Sequence, residues 1–310
     1  MTLRYINVSA WGGAGKSVLV SLLDGHPDIA INPMHDKTPF VLKDNYLNQC
    51  VLGDFRPVVR DLIADGYINF QLMSVDKKVD VHLSSLDEDV LEVSTNFDYY
   101  SFEDRWIKSL LASDSWDRKS ITDLVYDSFV KEQYPEVEKK YLTVMGVPDV
   151  DETTRFSEVF EGAFILAIKR PIAGILATKL NRNLRYSESK DLSLIRHYIF
   201  LVLESYRIAR FDLSMERLRN SFPDRVYLVD FDEMVAATET TMAKILKFLH
   251  LSPCNNCYIP TFFGQVLKND RVSYIGKGND SGYEKNETLD SALVSFVYRC
   301  TSSMLRFFRF

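Results

Sequence analysis

The chain lacks an excess of positive charge, a long apolar run and a rich supply of cysteine, and each absence excludes a class of protein. Its formal net charge of −6 argues against a general nucleic-acid binder, so any basic site must be local. No apolar stretch reaches membrane-spanning length, and the N-terminus runs directly into a strand pattern. We therefore expect neither a signal peptide nor a membrane span, and we expect a cytoplasmic protein.

Cysteine is scarce, with four residues in 310. Cys254 and Cys257 form a CxxC pattern, but no second pair and no nearby histidine pair accompanies them. Reduced loop cysteines are therefore the favoured interpretation, with a zinc or redox site as the alternative. Repeats and low-complexity tracts are also missing. The 46% hydrophobic and 26% charged content is ordinary for a globular protein, and we expect one domain over residues 1–310.

A glycine-rich turn follows the first strand pattern, which carries Leu3, Ile6 and Val8. An apolar helical pattern begins directly after the turn. Glycines allow the backbone to approach a phosphate closely, and a helix start directs N–H groups and a favourable dipole at it. The residues predicted to surround the anion are Gly12, Gly13, Ala14, Gly15, Lys16, Ser17 and Val18.

The turn is close to a Walker A loop, which keeps an ATP-dependent kinase as an alternative. The motif requires glycine five residues before Gly15, and Ala10 occupies that position. A later apolar run ends at Asp230, which could hold magnesium as a Walker B carboxylate. Asp230 and Asp232 could equally cap the following helix.

Strand and helix patterns alternate along most of the chain, which predicts a P-loop-like α/β fold. We expect three layers, α/β/α, around a mostly parallel sheet, with ligands at the carboxyl ends of the strands. Residues 41–140 interrupt the alternation, and we interpret them as a largely helical insertion that contacts the acceptor. A long amphipathic helix is predicted from Leu192 to Leu218, with apolar residues recurring every three or four positions.

A second anion site is predicted at the end of the apolar run 163–168. Arg170 follows this run, and Thr178 lies two helical turns further on. An arginine at a strand end can bind a phosphate with two N–H groups, and a nearby hydroxyl can complete the site. The basic turn at Lys277 and Gly278 is a third element. Two anion sites suit a nucleotide that is phosphorylated at both ends, which a kinase does not require.

In order and spacing these motifs resemble the PAPS-dependent sulfotransferases of the bacterial or carbohydrate type. PAPS is 3′-phosphoadenosine 5′-phosphosulfate. The loop differs from the family pattern at Gly13, where Lys or Arg is common. The segments that carry the resemblance are Gly12 to Pro27, Arg170 with Pro171 and Thr178, Val226 to Val235, Lys247 to Leu251, and Ile275 to Gly278 with Lys285 and Asn286.

The resemblance implies a sulfuryl transfer from PAPS to a hydroxyl, with PAP as the product and no metal ion. The first loop would bind the 5′-phosphosulfate, and Arg170 with Thr178 would bind the 3′-phosphate. Lys16 and the loop N–H groups would stabilise the leaving phosphate. A non-catalytic nucleotide-binding protein is a further alternative, because Gly13 stands at a position that is usually cationic.

The general base is expected just after the second strand pattern, at His35 or, as second choice, Asp36. A neutral imidazole suits proton removal near neutral pH. Alternatively, His35 only caps a turn and Asp36 pairs with Lys37. The expected acceptor is a carbohydrate or glycolipid hydroxyl, by analogy with the family. The C-terminus alternates apolar and basic residues. A simple packed end is the favoured interpretation, with docking on a membrane surface or on a second subunit of a homo-oligomer as the alternatives.

Overall fold

The computed structural model describes residues 3–32, 98–146 except 116, 150–179 except 178, 194–266 except 263, and 291–307. Most of the predicted insertion, 41–140, lies outside these ranges, although its last part is described. The predicted site residues that also lie outside them are His35, Asp36, Thr178, Lys277 and Gly278.

Five parallel strands form the central sheet, and their spatial order is β2-β3-β1-β4-β5. Each strand is a short, largely apolar run, as expected where both faces of a parallel sheet are covered. The sheet confirms the predicted α/β class with its mostly parallel strands. The strands are β1 (Arg4–Ser9), β2 (Ile29–Ile31), β3 (Tyr141–Met145), β4 (Phe164–Lys169) and β5 (Val226–Asp230).

Helices surround the sheet, and none in the described part of the chain is long and apolar enough to cross a membrane. A two-stranded hairpin, β6 (Thr261–Phe262) with β7 (Gln265–Val266), lies outside the main sheet. In chain order the helices are α1 (Lys16–Leu23), α2 (Tyr99–Leu111), α3 (Arg118–Gln133), α4 (Val150–Val159), α5 (172–177), α6 (Leu194–Ser221), α7 (Phe231–Ala236), α8 (Thr238–Phe248) and α9 (Ser291–Phe307).

The alternation of side chains along β1 divides the core into two faces. Ile6 and Val8 pack in the cluster that contains α1, α7 and α8. Tyr5 points to the opposite face, in the cluster formed by α2, α3 and α4. On that side α6 packs on β4 through Phe211 and other apolar residues. Each face of the sheet is thereby buried under helices, which produces the three layers.

The apolar stripe predicted for the long helix does not face the core. Ile199, Val202, Leu203 and Tyr206 on α6 are between 40% and 54% exposed. The opposite side of the helix is buried instead, and it includes the carboxylate of Glu204. This side approaches the loop after β1, where polar partners satisfy the carboxylate. The sequence period therefore predicted the helix correctly and its buried face incorrectly.

Candidate active site

The candidate site lies at the carboxyl ends of β1 and β4, where the chain continues toward opposite edges of the sheet. These strands are neighbours in the sheet, and the connection after β1 leads to one edge while that after β4 leads to the other. The two loops therefore separate at the carboxyl ends of the strands and leave a crevice. The glycine loop enters this crevice from β1 and Arg170 enters it from β4.

The loop after β1 forms a turn that leads directly into α1. The N–H of Ala14 donates to the carbonyl of Trp11 over 3.0 Å, and Gly13 has a φ of 89°. Gly15 precedes the helix with a φ of 101°, and no side chain of the described residues caps the helix start. The first N–H groups of α1 are thus directed at the crevice, which is the arrangement of an anion-binding helix start.

Phe231, the first residue of α7, fixes the position of Gly15. A Cβ added to Gly15 would lie 2.3 Å from Cε2 of Phe231, so no larger residue fits there. The left-handed backbone of Gly15 imposes the same restriction independently. The ring of Phe231 also lies 4.5 Å from the guanidinium carbon of Arg170. One aromatic side chain therefore positions both halves of the predicted phosphate site.

Lys16 is buried at the first position of α1 and is only 6% exposed. Its ammonium donates to the carbonyl of Gly146, directly after β3, over 2.7 Å. Burial lowers the pKa of Lys16 to about 8. The charge of this lysine is therefore sensitive to its surroundings, and an anion in the loop would favour the protonated form.

Arg170 contacts the glycine loop directly. Its Nη1 donates to the carbonyl of Gly13 over 2.6 Å. The sequence predicted two anion sites, one at the loop and one at Arg170, and the structure makes these sites adjoin. The guanidinium lies between the loop and the ring of Phe231, where it can serve an anion bound at either element.

Asp230, the last residue of β5, performs the helix-capping role that the sequence left open. Asp230 is the N-cap of α7, and its side chain accepts from the N–H of Glu233 over 2.9 Å. Strand β5 is also separated from β1 by β4. Burial and the charge of Asp230 raise the pKa of Asp232, and Arg170 opposes this shift. Asp230 is thus engaged in the backbone of its own helix rather than directed at the loop after β1.

The CxxC segment forms a structural turn beside the end of α1. Cys254 and Cys257 are free thiols, and the thiol of Cys254 approaches the carbonyl of Gly25 over 3.5 Å. A Cβ at Gly25 would lie 2.3 Å from the carbonyl oxygen of Asn256, so the two segments touch through their backbones. No group of metal-ligating side chains is found among the described residues.

Several contacts of the site were not predicted from the sequence. The structure brings Arg170 to Gly13 of the loop that precedes Lys16, and the supporting ring of Phe231 was missed. A further unpredicted group surrounds Trp11, whose indole N–H donates to Glu204 over 2.9 Å. The position of Trp11 inside a glycine turn could have indicated this group from the sequence, because the indole N–H of a tryptophan usually has a hydrogen-bond partner.

Three solved sulfotransferase structures resemble the chain. The sulfotransferase domain from the Synechococcus PCC 7002 olefin synthase has a TM-score of 0.50 and 13% identity, covering 98% of this chain and 95% of that one. A sulfotransferase from Mycobacterium tuberculosis H37Rv has a TM-score of 0.47 and 13% identity, covering 96% and 77%. The sulfotransferase domain from the curacin biosynthetic pathway has a TM-score of 0.48 and 11% identity, covering 99% and 98%.

Comparison of the sequence with family models and with curated proteins finds no match. At 13% identity, the likeness to the olefin synthase domain shows a common fold. The resemblance predicted from the motifs is confirmed at the level of that fold.

Proposed function

We propose that the chain is a sulfotransferase that moves a sulfuryl group from PAPS to an acceptor hydroxyl. The observation that carries this proposal is the contact of 2.6 Å between Arg170 and the carbonyl of Gly13. It joins a strand-end guanidinium to a phosphate-type loop, so that one nucleotide could be held at both its 5′ and 3′ phosphates. The shared fold supports the same conclusion.

The chemistry requires positioning and charge stabilisation more than covalent catalysis. The S–O bond to the 5′-phosphate breaks while a new S–O bond forms to the acceptor oxygen, and the acceptor proton passes to a base. Lys16 and the N–H groups of Gly13 to Ser17 would stabilise the negative charge on the leaving phosphate. Because burial lowers the pKa of Lys16, this ammonium could also give a proton to that oxygen.

The remaining parts of the proposal come from the sequence alone. We assign the base to His35 or Asp36 and the 3′-phosphate contacts to Thr178, Lys277 and Gly278 beside Arg170. The proposed acceptor is a carbohydrate or glycolipid, the proposed location is the cytoplasm, and no metal ion is required in this scheme. His35, Asp36, Thr178, Lys277 and Gly278 lie outside the described ranges, and their roles are predictions from the sequence.

Calorimetry with 3′,5′-ADP and with Mg-ATP tests the proposal. We expect the chain to bind 3′,5′-ADP more tightly, because only this ligand has a phosphate at each end of the ribose. Replacing Arg170 by Gln should weaken 3′,5′-ADP binding by about tenfold or more, the typical effect of losing a charged hydrogen bond. The matched control is Arg105→Gln, because Arg105 forms a surface ion pair with Glu132 on α3.

Two results would contradict the proposal. A preference for Mg-ATP would favour the kinase, and an R170Q variant with full affinity for 3′,5′-ADP would remove the second phosphate contact. Transfer of labelled sulfate from PAPS to a panel of sugars and phenols then tests catalysis itself.

A further inference from the structure

A cluster of charged side chains adjoins the glycine loop and is absent from the mechanism above. It consists of Trp11, Lys179, Glu204 and Arg207, and we refer to it as the Glu204 cluster. The carboxylate of Glu204 accepts from the indole of Trp11 over 2.9 Å and from Arg207 over 3.1 Å. It also accepts from the ammonium of Lys179. The cluster thus ties α6 and Lys179, in the connection after β4, to the loop.

The charges of the cluster do not cancel. Burial by itself would raise the pKa of Glu204, but the hydrogen bonds from Lys179 and Trp11 outweigh it and lower the pKa. Glu204 is therefore a carboxylate at neutral pH. One carboxylate faces two cations, because Lys179 and Arg207 both bind it. A surplus positive charge remains beside a loop that is already built to bind an anion.

Lys179 is the charged member of the cluster that reaches the loop. Its Cε lies 3.7 Å from the position that a Cβ on Gly12 would occupy. Its ammonium lies 4.9 Å from the centre of the Trp11 ring, and its side chain is 26% exposed. A ligand that approaches the backbone of Gly12 therefore meets the end of the Lys179 side chain. The missing side chain at Gly12 leaves the room for that approach.

The ammonium can bind a ligand without leaving Glu204. A lysine has three N–H donors, and Glu204 is its only hydrogen-bond acceptor among the described residues. One donor can stay on Glu204 while another turns to an oxygen of the ligand. The ring of Trp11 limits the directions available to the side chain, so the charge is held near the loop.

We propose that Lys179 binds the phosphate held by the glycine loop, the 5′-phosphate of the donor, and that Glu204 positions it. This inference rests on the proposed function, because it takes the donor nucleotide as the ligand. Lys179 directly follows Thr178, which the sequence assigns to the 3′-phosphate. The observed contacts of Lys179, however, are with the glycine loop and Glu204. Two residues that are adjacent in the sequence would thus serve opposite ends of the same nucleotide.

The test compares two ligands, 3′,5′-ADP and 5′-AMP, by calorimetry. Replacing Lys179 by Gln should weaken the binding of both by the same factor, about tenfold, because both carry the 5′-phosphate. Lys179→Arg should retain most of the affinity. Lys131→Gln is the matched control, because Lys131 forms an exposed ion pair with Asp127 within α3. Arg170→Gln, in contrast, should weaken the binding of 3′,5′-ADP more than that of 5′-AMP, because only 3′,5′-ADP carries the 3′-phosphate.

Glu204 is tested as a positioning residue through its coupling to Lys179. Glu204→Gln should weaken 5′-AMP binding in the wild-type background but add no further loss in a K179Q background. Additive losses would show that Glu204 acts independently of Lys179. Thermal unfolding of each variant is followed in parallel, so that a loss of folded protein is separated from a loss of affinity.

Each outcome decides the assignment. Unchanged 5′-AMP affinity in K179Q overturns the role of Lys179 while leaving the proposed function intact. A loss confined to 3′,5′-ADP would place Lys179 at the 3′-phosphate and also overturn it. If K179Q does not fold, Lys179→Met takes its place in the same comparison: an equal loss for both ligands supports the role, and unchanged 5′-AMP affinity overturns it. A wild-type chain that binds neither nucleotide refutes the proposed function, and the inference with it.

Discussion

Lys16 shows how the position of one residue changes its chemistry. Lysine is normally charged well above neutral pH, but burial at the start of α1 lowers the pKa of Lys16 to about 8. Its neighbour at the site, Arg170, keeps its charge at any physiological pH. Of these two cations, only Lys16 can lose its charge within the accessible pH range, so donor affinity should report its titration.

We predict that affinity for 3′,5′-ADP falls as the pH rises through the pKa of Lys16. A bound anion favours the protonated form of Lys16. Above about pH 8 the free protein must therefore take up a proton when the ligand binds, and the Kd should rise by up to about tenfold per pH unit. The ligand phosphates titrate near pH 6 and stay fully charged throughout. Calorimetry in two buffers of different ionisation enthalpy measures the proton uptake directly.

Lys16→Arg is the control for this titration, because a guanidinium stays protonated over the same range. Its affinity should be independent of pH from about pH 7 to about pH 9.5. A wild-type Kd that is equally flat would show that the charge of Lys16 does not contribute to binding.

At the scale of elements, the ends of β1 and β3 fit together through a glycine. Gly146 follows β3, and a Cβ there would lie 2.4 Å from Oδ1 of Asn7 in β1. Asn7 is fully buried, and its amide atoms have no hydrogen-bond partner among the described residues. The carbonyl of Gly146 also accepts from Lys16. The junction of two strands therefore controls the position of a site residue.

We predict that Gly146→Ala destabilises the fold by about 1–3 kcal/mol, the usual range for overpacking a core. Asn7→Ala should reverse part of this loss in the double variant, because it removes the atoms that clash and leaves no described partner unsatisfied. Urea unfolding of the two single variants and the double variant measures the coupling.

Gly162 supplies the matched substitution, since a Cβ there would meet no atom within 4 Å. Gly162→Ala should leave stability within about 0.5 kcal/mol of the wild type or raise it slightly. Additive losses from Gly146→Ala and Asn7→Ala would contradict the steric explanation.

At the scale of the whole molecule, α9 is attached to the fold through α6. The hydroxyl of Tyr298 on α9 donates to Asp212 on α6 over 2.5 Å. Burial raises the pKa of Asp212 to about 6, although the bond from Tyr298 opposes the shift. Above that pH the folded state holds a buried carboxylate that the unfolded chain would expose to water. Global stability near neutral pH is therefore reduced by this group.

We predict that Asp212→Asn raises the melting temperature at about pH 7.5, because asparagine accepts the same hydrogen bond without a charge. A carboxyl group whose pKa is higher in the folded state than in the unfolded state destabilises the fold at a pH above the folded-state pKa. It has no such effect at a pH below the unfolded-state pKa. The gain from D212N should therefore shrink as the pH falls from about 7.5 to about 5. Thermal unfolding followed by circular dichroism at several pH values measures it.

Asp104→Asn is the surface comparison, because Asp104 is 53% exposed in its ion pair with Lys108. It should change the melting temperature little at any pH, as exposed pairs contribute little. A D212N variant that is less stable than the wild type at neutral pH would show that the charge of Asp212 strengthens the contact between the helices.

The sequence by itself determined the features that depend on neighbours along the chain. The glycine turn, the strand before it and the helix after it were predicted together, because all three are determined by one stretch of consecutive residues. Strand β4 was predicted at 163–168 and is found at Phe164–Lys169. A helix capped by Asp230 was one of the alternatives from the sequence, but the bounds of the short helix α7 were not predicted, since it starts directly from the end of β5 without a separating turn.

Only the tertiary structure decided which distant residues meet. The strand order places β1 beside β4, and this brings Arg170 to Gly13 although 157 positions separate them. The buried face of α6 was likewise decided by tertiary contacts, because hydrogen bonds from Trp11, Lys179 and Arg207 stabilise the Glu204 carboxylate there. Hydropathy along a helix reports only the preference of its own side chains, whereas the partner that satisfies a buried charge can come from any part of the chain.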